Sequence, residues 1–158
     1  MKTNILRILF LILIIANSVI IFGFSSQNGE ESGSLSQKII TVIADIFNVQ
    51  ENRETFLDIV EQIVRKLAHL GIYTSLGIWS IAFILTFNIK LKWQVIITII
   101  WGIIYAITDE FHQTFSTGRH ASINDVVIDT FGVILGLLLV LLVIKIYYKI
   151  ENKDSLKI

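Results

Sequence analysis

Cysteine and proline are both absent from the 158 residues. The first absence excludes disulfide scaffolds, thiolate metal sites and Cys nucleophiles, and leaves extracytoplasmic exposure open. The second means that any helix kink has to come from Gly or from polar side chains. Net charge is missing as well: 13 basic and 13 acidic side chains cancel, so no surplus points to nucleic acid or to adsorption on a membrane surface. Charged residues are scarce, at 16% against 54% hydrophobic, and mean hydropathy is +0.73. The apolar residues fall in long blocks, a composition that belongs to membrane proteins rather than to soluble domains.

Four blocks are long enough to matter. Ile8 to Phe24 holds 17 residues without a charge; at about 1.5 Å per residue that is just enough to cross the hydrocarbon. Leu67 to Phe87 gives 21 residues interrupted only by His69, and Trp93 to Thr108 gives 16 bounded by Lys92 and Asp109. The third is short, so Asp109 and Glu110 are expected at or just inside the membrane boundary. Val126 to Ile144 contains one carboxylate, Asp129, near its start. The expectation is an all-α integral membrane bundle of four transmembrane helices, with spans at about 8–24, 67–87, 93–109 and 126–146.

Orientation follows from Lys and Arg in short loops. Lys2, Arg7, Lys90, Lys92, Lys145, Lys149, Lys153 and Lys157 fall on one side, which is expected to be cytoplasmic with both termini inside. Residues 1–7 then form the cytoplasmic N-terminus, 8–148 the membrane domain and 149–158 a short, frayed cytoplasmic tail. A cleaved signal peptide is the rival reading for the first block, given its basic start and the small residues from Gly23 to Ser26. The apolar run is longer than a usual signal core and the cleavage pattern is poor; cleavage would leave three spans and an external N-terminus.

The external segment 25–66 carries structure of its own. Ser25 to Ser36 reads as a loop with Ser32, Ser34 or Ser36 available as N-caps. Leu35, Ile39, Ile40, Ile43, Ile46 and Phe47 recur at helical spacing, which predicts an interfacial amphipathic helix. From Asn52 a second helix starts, with Phe56, Ile59, Val60, Ile63 and Val64 as its apolar positions, and it is expected to run unbroken into the second span.

Three polar clusters are expected at one membrane face. Arg65, Lys66 and His69 stand at the start of the second span, with Arg65 and His69 sharing a helix face and Tyr73 one turn further in. Asp109, Glu110, His112 and Gln113 end the third. Gly118, Arg119, His120, Asp125 and Asp129 begin the fourth. A charge in hydrocarbon costs about 2.5 to 3.5 kcal/mol on insertion scales, so Asp109 and Asp129 are expected to turn inward and pair with Arg65, Arg119, Lys66 or a His. Gly132 and Gly136 form a small-xxx-small pair on the last helix, with Gly102 and Tyr105 on the third as candidates to receive it. Asn17 is deep enough in the first span to need an interior face. Trp79, Trp93, Trp101, Tyr147 and Tyr148 read as lipid-facing or interfacial anchors.

These residues also carry a family resemblance. Phe24-Ser25-Ser26-Gln27, Arg65-Lys66-Leu67-Ala68-His69 with Tyr73 and Gly77, Asp109-Glu110-Phe111-His112-Gln113, Gly118-Arg119, and Asp125 with Asp129 and Gly132 follow one another from the first span to the last. In order and spacing the chain resembles the VanZ-like family, named for a protein associated with low-level resistance to the glycopeptide teicoplanin. One departure is Phe115-Ser116-Thr117-Gly118-Arg119, where the family often has Pro before the Gly. The resemblance implies a small multi-pass protein of the cytoplasmic membrane linked to the cell envelope. It implies a resistance phenotype and supplies no reaction.

Three chemistries compete for the polar residues. One is an outward-facing ligand-binding pocket of Arg65, Lys66, His69, Asp109, Glu110, His112, Gln113, Arg119, Asp125 and Asp129. In it the basic groups hold an anionic headgroup or lipid-linked phosphate, and His69, Gln27 and Gln113 add hydrogen bonds. The second is a hydrolase with Asp109, Glu110, His112 and His69 as catalytic candidates, in which a divalent metal would activate water. No HExxH pattern is present to support it. The third is a purely structural network that fixes helix register. Transport is disfavoured by four spans without an inverted repeat and charges confined to one face.

Overall fold

The computed structural model describes residues 2–26, 40–42, 44–46, 53–116 and 121–155. Four helices form the bundle: α1 (Lys2–Ser25), α2 (Arg53–Leu85), α3 (Leu91–Gln113) and α4 (Ile123–Ser155). All four contain segments long and apolar enough to cross a membrane. Large apolar side chains such as Val19, Ile104, Leu138 and Val143 point outward around the bundle, where hydrocarbon, not water, is their natural surrounding. α2 runs from Arg53 without a break, as the spacing predicted. α4 continues through Lys149 to Ser155 where a frayed tail was expected; Lys149, Glu151 and Lys153 are good helix formers even outside an apolar environment.

Apolar helices gain little from hydrophobic burial against each other in lipid, so close backbone approach and polar contacts have to hold them together. Both are present. The most extensive contact joins α2 and α4. A Cβ on Gly132 would stand 2.8 Å from the Leu70 carbonyl oxygen, one on Gly136 would run into the Thr74 backbone, and one on Gly77 would meet the Val133 backbone. The glycine pair of α4 is therefore seated on α2, not on α3 as the sequence suggested. Gly102 of α3 instead accommodates the Val133 side chain. The reason lies in the order of packing: α2 and α4 cross at their glycines, and α3 fits against the residue between them.

Polar ties fix the remaining helices. Asn17 of α1 turns inward, as expected, and donates from Nδ2 to Ser75 Oγ, while Tyr105 of α3 donates to the Ser18 carbonyl at 2.9 Å. Ile14 and Ile21 of α1 join Tyr73, Leu76, Ala106 and Val133 in the core. Trp79 packs against this core, which corrects the lipid-facing assignment, whereas Trp93, Tyr147 and Tyr148 are exposed. Gln94 donates to the carbonyls of Ile84 and Phe87. It thereby adds a second donor to carbonyls at and just beyond the end of α2 that already accept from the Phe87 and Ile89 N–H groups.

At the same end of the bundle, Arg7 donates to the Thr86 carbonyl at 2.9 Å and lies 4.3 Å from the centre of the Phe87 ring. This places the start of α1 beside the α2–α3 turn that carries Lys90. The opposite end joins Ser25, Gln113 and Ser116. Of the segment before α2, Ile40 and Ala44 are buried and Ile46 is exposed, and Asp45 pairs with Arg53 at 2.7 Å. Leu35, Ile39, Ile43 and Phe47 lie outside the described residues.

Candidate functional site

Helical spacing puts the polar residues of each helix on one stripe. His69 and Tyr73 on α2, Asp109 and Gln113 on α3, and Asp125 and Asp129 on α4 are each i and i+4. The bundle brings the three stripes together at the Ser25–Gln113 end. Tyr73 donates its phenolic hydroxyl to Asp109 Oδ2 at 3.0 Å. Gln113 Nε2 reaches the same oxygen and Ser25 Oγ, both at 3.4 Å. His69 Nδ1 lies 3.5 Å from Asp129 Oδ1, near enough for attraction but too poorly placed for a formed hydrogen bond, so both Asp129 oxygens lack a hydrogen-bond partner among the described residues.

The centre of the site is acidic and buried. Asp109, Glu110 and Asp129 retain 4%, 3% and 0% of their exposure. One oxygen atom from Asp109, one from Asp129 and one His69 nitrogen lie within 4.8 Å of one another. Two carboxylates and an imidazole at that spacing have the donor types of a divalent-cation site.

Glu110 has a second task. Its Oε2 accepts from the Ser122 backbone N–H at 2.8 Å, and the Ser122 carbonyl accepts from Asp125 and Val126, so Ser122 caps α4. A carboxylate from α3 thus stands on the positive end of the α4 dipole. Glu110 Oε1 is buried and has no hydrogen-bond partner among the described residues.

Arg65, Lys66, His69, Glu110, Gln113, Asp125, Ile128 and Asp129 line a narrow cleft with ≈ 10 Å³ of free volume. That is about the room one water needs. Arg65 and Lys66 are exposed at its rim. Neither forms an ion pair with Asp109 or Asp129 among the described residues; of the partners expected from the sequence, it is the His that meets Asp129. His69 takes that place for Asp129, and Tyr73 with Gln113 takes it for Asp109.

His112 stands apart. Its ring stacks on Phe22 at 3.8 Å between centroids, on the α1 side of α3, where it lines an apolar groove of ≈ 510 Å³ with Trp101, Ile104 and Phe115. Arg119, like Gln27, Gly118 and His120, lies outside the described residues. Tyr73, Ser25 and Ser122 belong to the network although the sequence did not single them out as ligand-binding. Tyr73 carried a signal in its position one turn from His69 and Ser25 in its place in the Phe24-Ser25-Ser26-Gln27 stretch, whereas Ser122 carried none.

Four apolar helices with an interior polar network define an α-helical multi-pass membrane protein. Within that class the chain belongs to the VanZ/LLP1 family, whose model matches residues 8–144. No curated protein and no solved structure matches the chain.

Proposed function

We propose that this VanZ-family protein works at the outer face of the cytoplasmic membrane, where its polar cleft binds an anionic lipid headgroup or a lipid-linked cell-wall precursor. The observation that carries this reading is the pair Arg65 and Lys66, exposed at the rim of a polar cleft in a chain otherwise surrounded by apolar side chains. A guanidinium offers a planar fork to phosphate oxygens, and an ammonium adds a mobile point charge. An apolar groove of ≈ 400 Å³ between α3 and α4 shares Glu110 with the cleft, so a lipid bound at the rim has a place for an acyl chain beside it. Capture of a precursor at this face is the route by which the protein would lower sensitivity to a glycopeptide such as teicoplanin.

The test is retention of phosphatidic acid against phosphatidylcholine by the purified protein, read by native mass spectrometry. The wild type should keep the anionic lipid, and Arg65→Ala with Lys66→Ala should lose it by tenfold or more. Equal retention of both lipids by the wild type would end the reading.

A second reading, a hydrolase of phospholipids or envelope precursors, is favoured by the meeting of Asp109, Asp129 and His69. Release of phosphate or of a headgroup that stops in Asp109→Asn, with lipid retention intact, would select it over the binder.

A further inference from the structure

We propose that His69, Asp109 and Asp129 form a binding site for one divalent cation of the zinc or manganese type. The three donors come from three different helices, and their ligand atoms already lie within 4.8 Å of one another. Donors on one ion at about 2.0 to 2.2 Å stand roughly 3 to 4 Å apart, so modest side-chain rotation closes the set.

An independent observation shows that something is owed to this position. Asp129 is fully buried, and neither of its oxygens accepts a hydrogen bond among the described residues. A buried carboxylate that accepts no hydrogen bond is strongly disfavoured. Among the described residues the basic side chains compensate it only in part: the His69 ring stands 3.5 Å away without a formed hydrogen bond, and Arg65 and Lys66 stay exposed at the rim. A cation would satisfy both Asp129 and Asp109 at once and use the His69 imidazole as its third donor.

The surroundings fit an ion better than a larger ligand. Tyr73 and Gln113 hold the Asp109 carboxylate from behind, the arrangement by which outer hydrogen bonds orient a metal ligand. The adjoining cleft has ≈ 10 Å³ of free volume, about one water. One imidazole with two carboxylates suits zinc or manganese, whereas calcium and magnesium prefer oxygen alone. With three protein donors, a coordination position remains for water or for a phosphate oxygen. That last role rests on the headgroup reading above; the ion site itself does not. It would also remove a difficulty of that reading, since Glu110, Asp125 and Asp129 would otherwise repel a phosphate held at Arg65 and Lys66.

The experiment uses the full chain in detergent, purified by a tag without histidine and stripped with a chelator. Zn²⁺ and Mn²⁺ are titrated by calorimetry without lipid, and bound metal is counted by mass spectrometry. One equivalent is expected. Asp129→Asn and His69→Ala should each weaken binding at least tenfold, and His112→Ala should not. Binding unchanged in Asp129→Asn, or no saturable binding by the wild type, overturns the proposal. Should the variants fail to fold, X-ray absorption of the zinc-loaded wild type decides: one imidazole and two carboxylate ligands support the site, and any other first shell refutes it. Selective retention of the anionic lipid by a wild type that binds no metal, or metal binding by a wild type that retains both lipids equally, shows which of the two readings fails.

Discussion

The Tyr73 hydroxyl donates to Asp109 Oδ2 at 3.0 Å and joins α2 to α3 with a buried, charge-assisted hydrogen bond. Tyr73 is itself fully buried, so its ring serves the apolar core while its oxygen serves the polar site. Tyr73→Phe keeps the ring and removes only the donor. It should lower stability in detergent by about 1 to 2 kcal/mol, within the range of hydrogen bonds to charged groups and of bonds between membrane helices. Equilibrium unfolding of the wild type and the variant measures it. An unchanged stability would mean that the bond is not formed in the folded protein.

The seat of α4 on α2 can be tested with one methyl group. Gly136→Ala gains helix propensity of about 1 kcal/mol, but its Cβ would collide with the Thr74 backbone. Overpacking of that kind costs about 1 to 3 kcal/mol. The clash should win, leaving Gly136→Ala less stable than wild type. Gly71→Ala is the control on the same pair of helices: a Cβ there meets nothing within 4 Å, so that variant should be as stable as wild type or more so.

Much of this architecture is legible in the sequence, and the limits are physical. Apolar blocks revealed four spans because hydrocarbon tolerates so few charges. They did not give the far end of α4, since Lys149 to Ser155 lies in polar sequence, whereas the start of α2 came from the helical spacing of Phe56, Ile59, Val60, Ile63 and Val64. The pairs His69 with Tyr73 and Asp125 with Asp129 were legible because helical spacing alone aligns them. Which stripe meets which was not. Asp109 has Gln113 on one side of its stripe and His112 on the other, and only tertiary packing chooses. It turned Gln113 toward Asp109 and His112 toward Phe22. In the same way Gly132 and Gly136 announced a close helix contact without naming the partner.

Glu110 links the site to the start of α4 through Ser122. Glu110→Gln keeps an acceptor for the Ser122 N–H and loses the charge at the helix N-terminus, which should cost about 0.3 to 1 kcal/mol. Glu110→Ala loses the acceptor as well and should cost about 0.5 to 2 kcal/mol, as removal of a cap does. Amide exchange at residues 123–126 should rise in the same order. Equal exchange in all three proteins would show that α4 is held at its start by other contacts.

Absence of cysteine makes the chain a clean background for topology, because any introduced thiol reports only itself. Asn88 and Ala121 are exposed and lie at opposite ends of the bundle. With the lysine-bearing end inside, Ala121→Cys should react with an impermeant maleimide in intact cells. Asn88→Cys should react only after the membrane is opened. The opposite pattern would place Asp109 and Asp129 at the cytoplasmic face and remove the external cleft from consideration.

His112 is the sequence candidate that the fold stacks on Phe22 of α1, and that contact gives it a different task. A stacked pair of this kind contributes about 0.5 to 1.5 kcal/mol beyond its area. His112→Phe keeps a ring against Phe22 and should preserve both stability and anionic-lipid retention. His112→Ala should lose about 1 kcal/mol of stability, with little further loss on adding Phe22→Ala, because the double variant has no pair left to break. Lipid retention should stay at the wild-type level in every one of these proteins that folds. Retention that fails in His112→Phe while stability holds would return His112 to the binding site and require α3 to turn about its axis when ligand arrives.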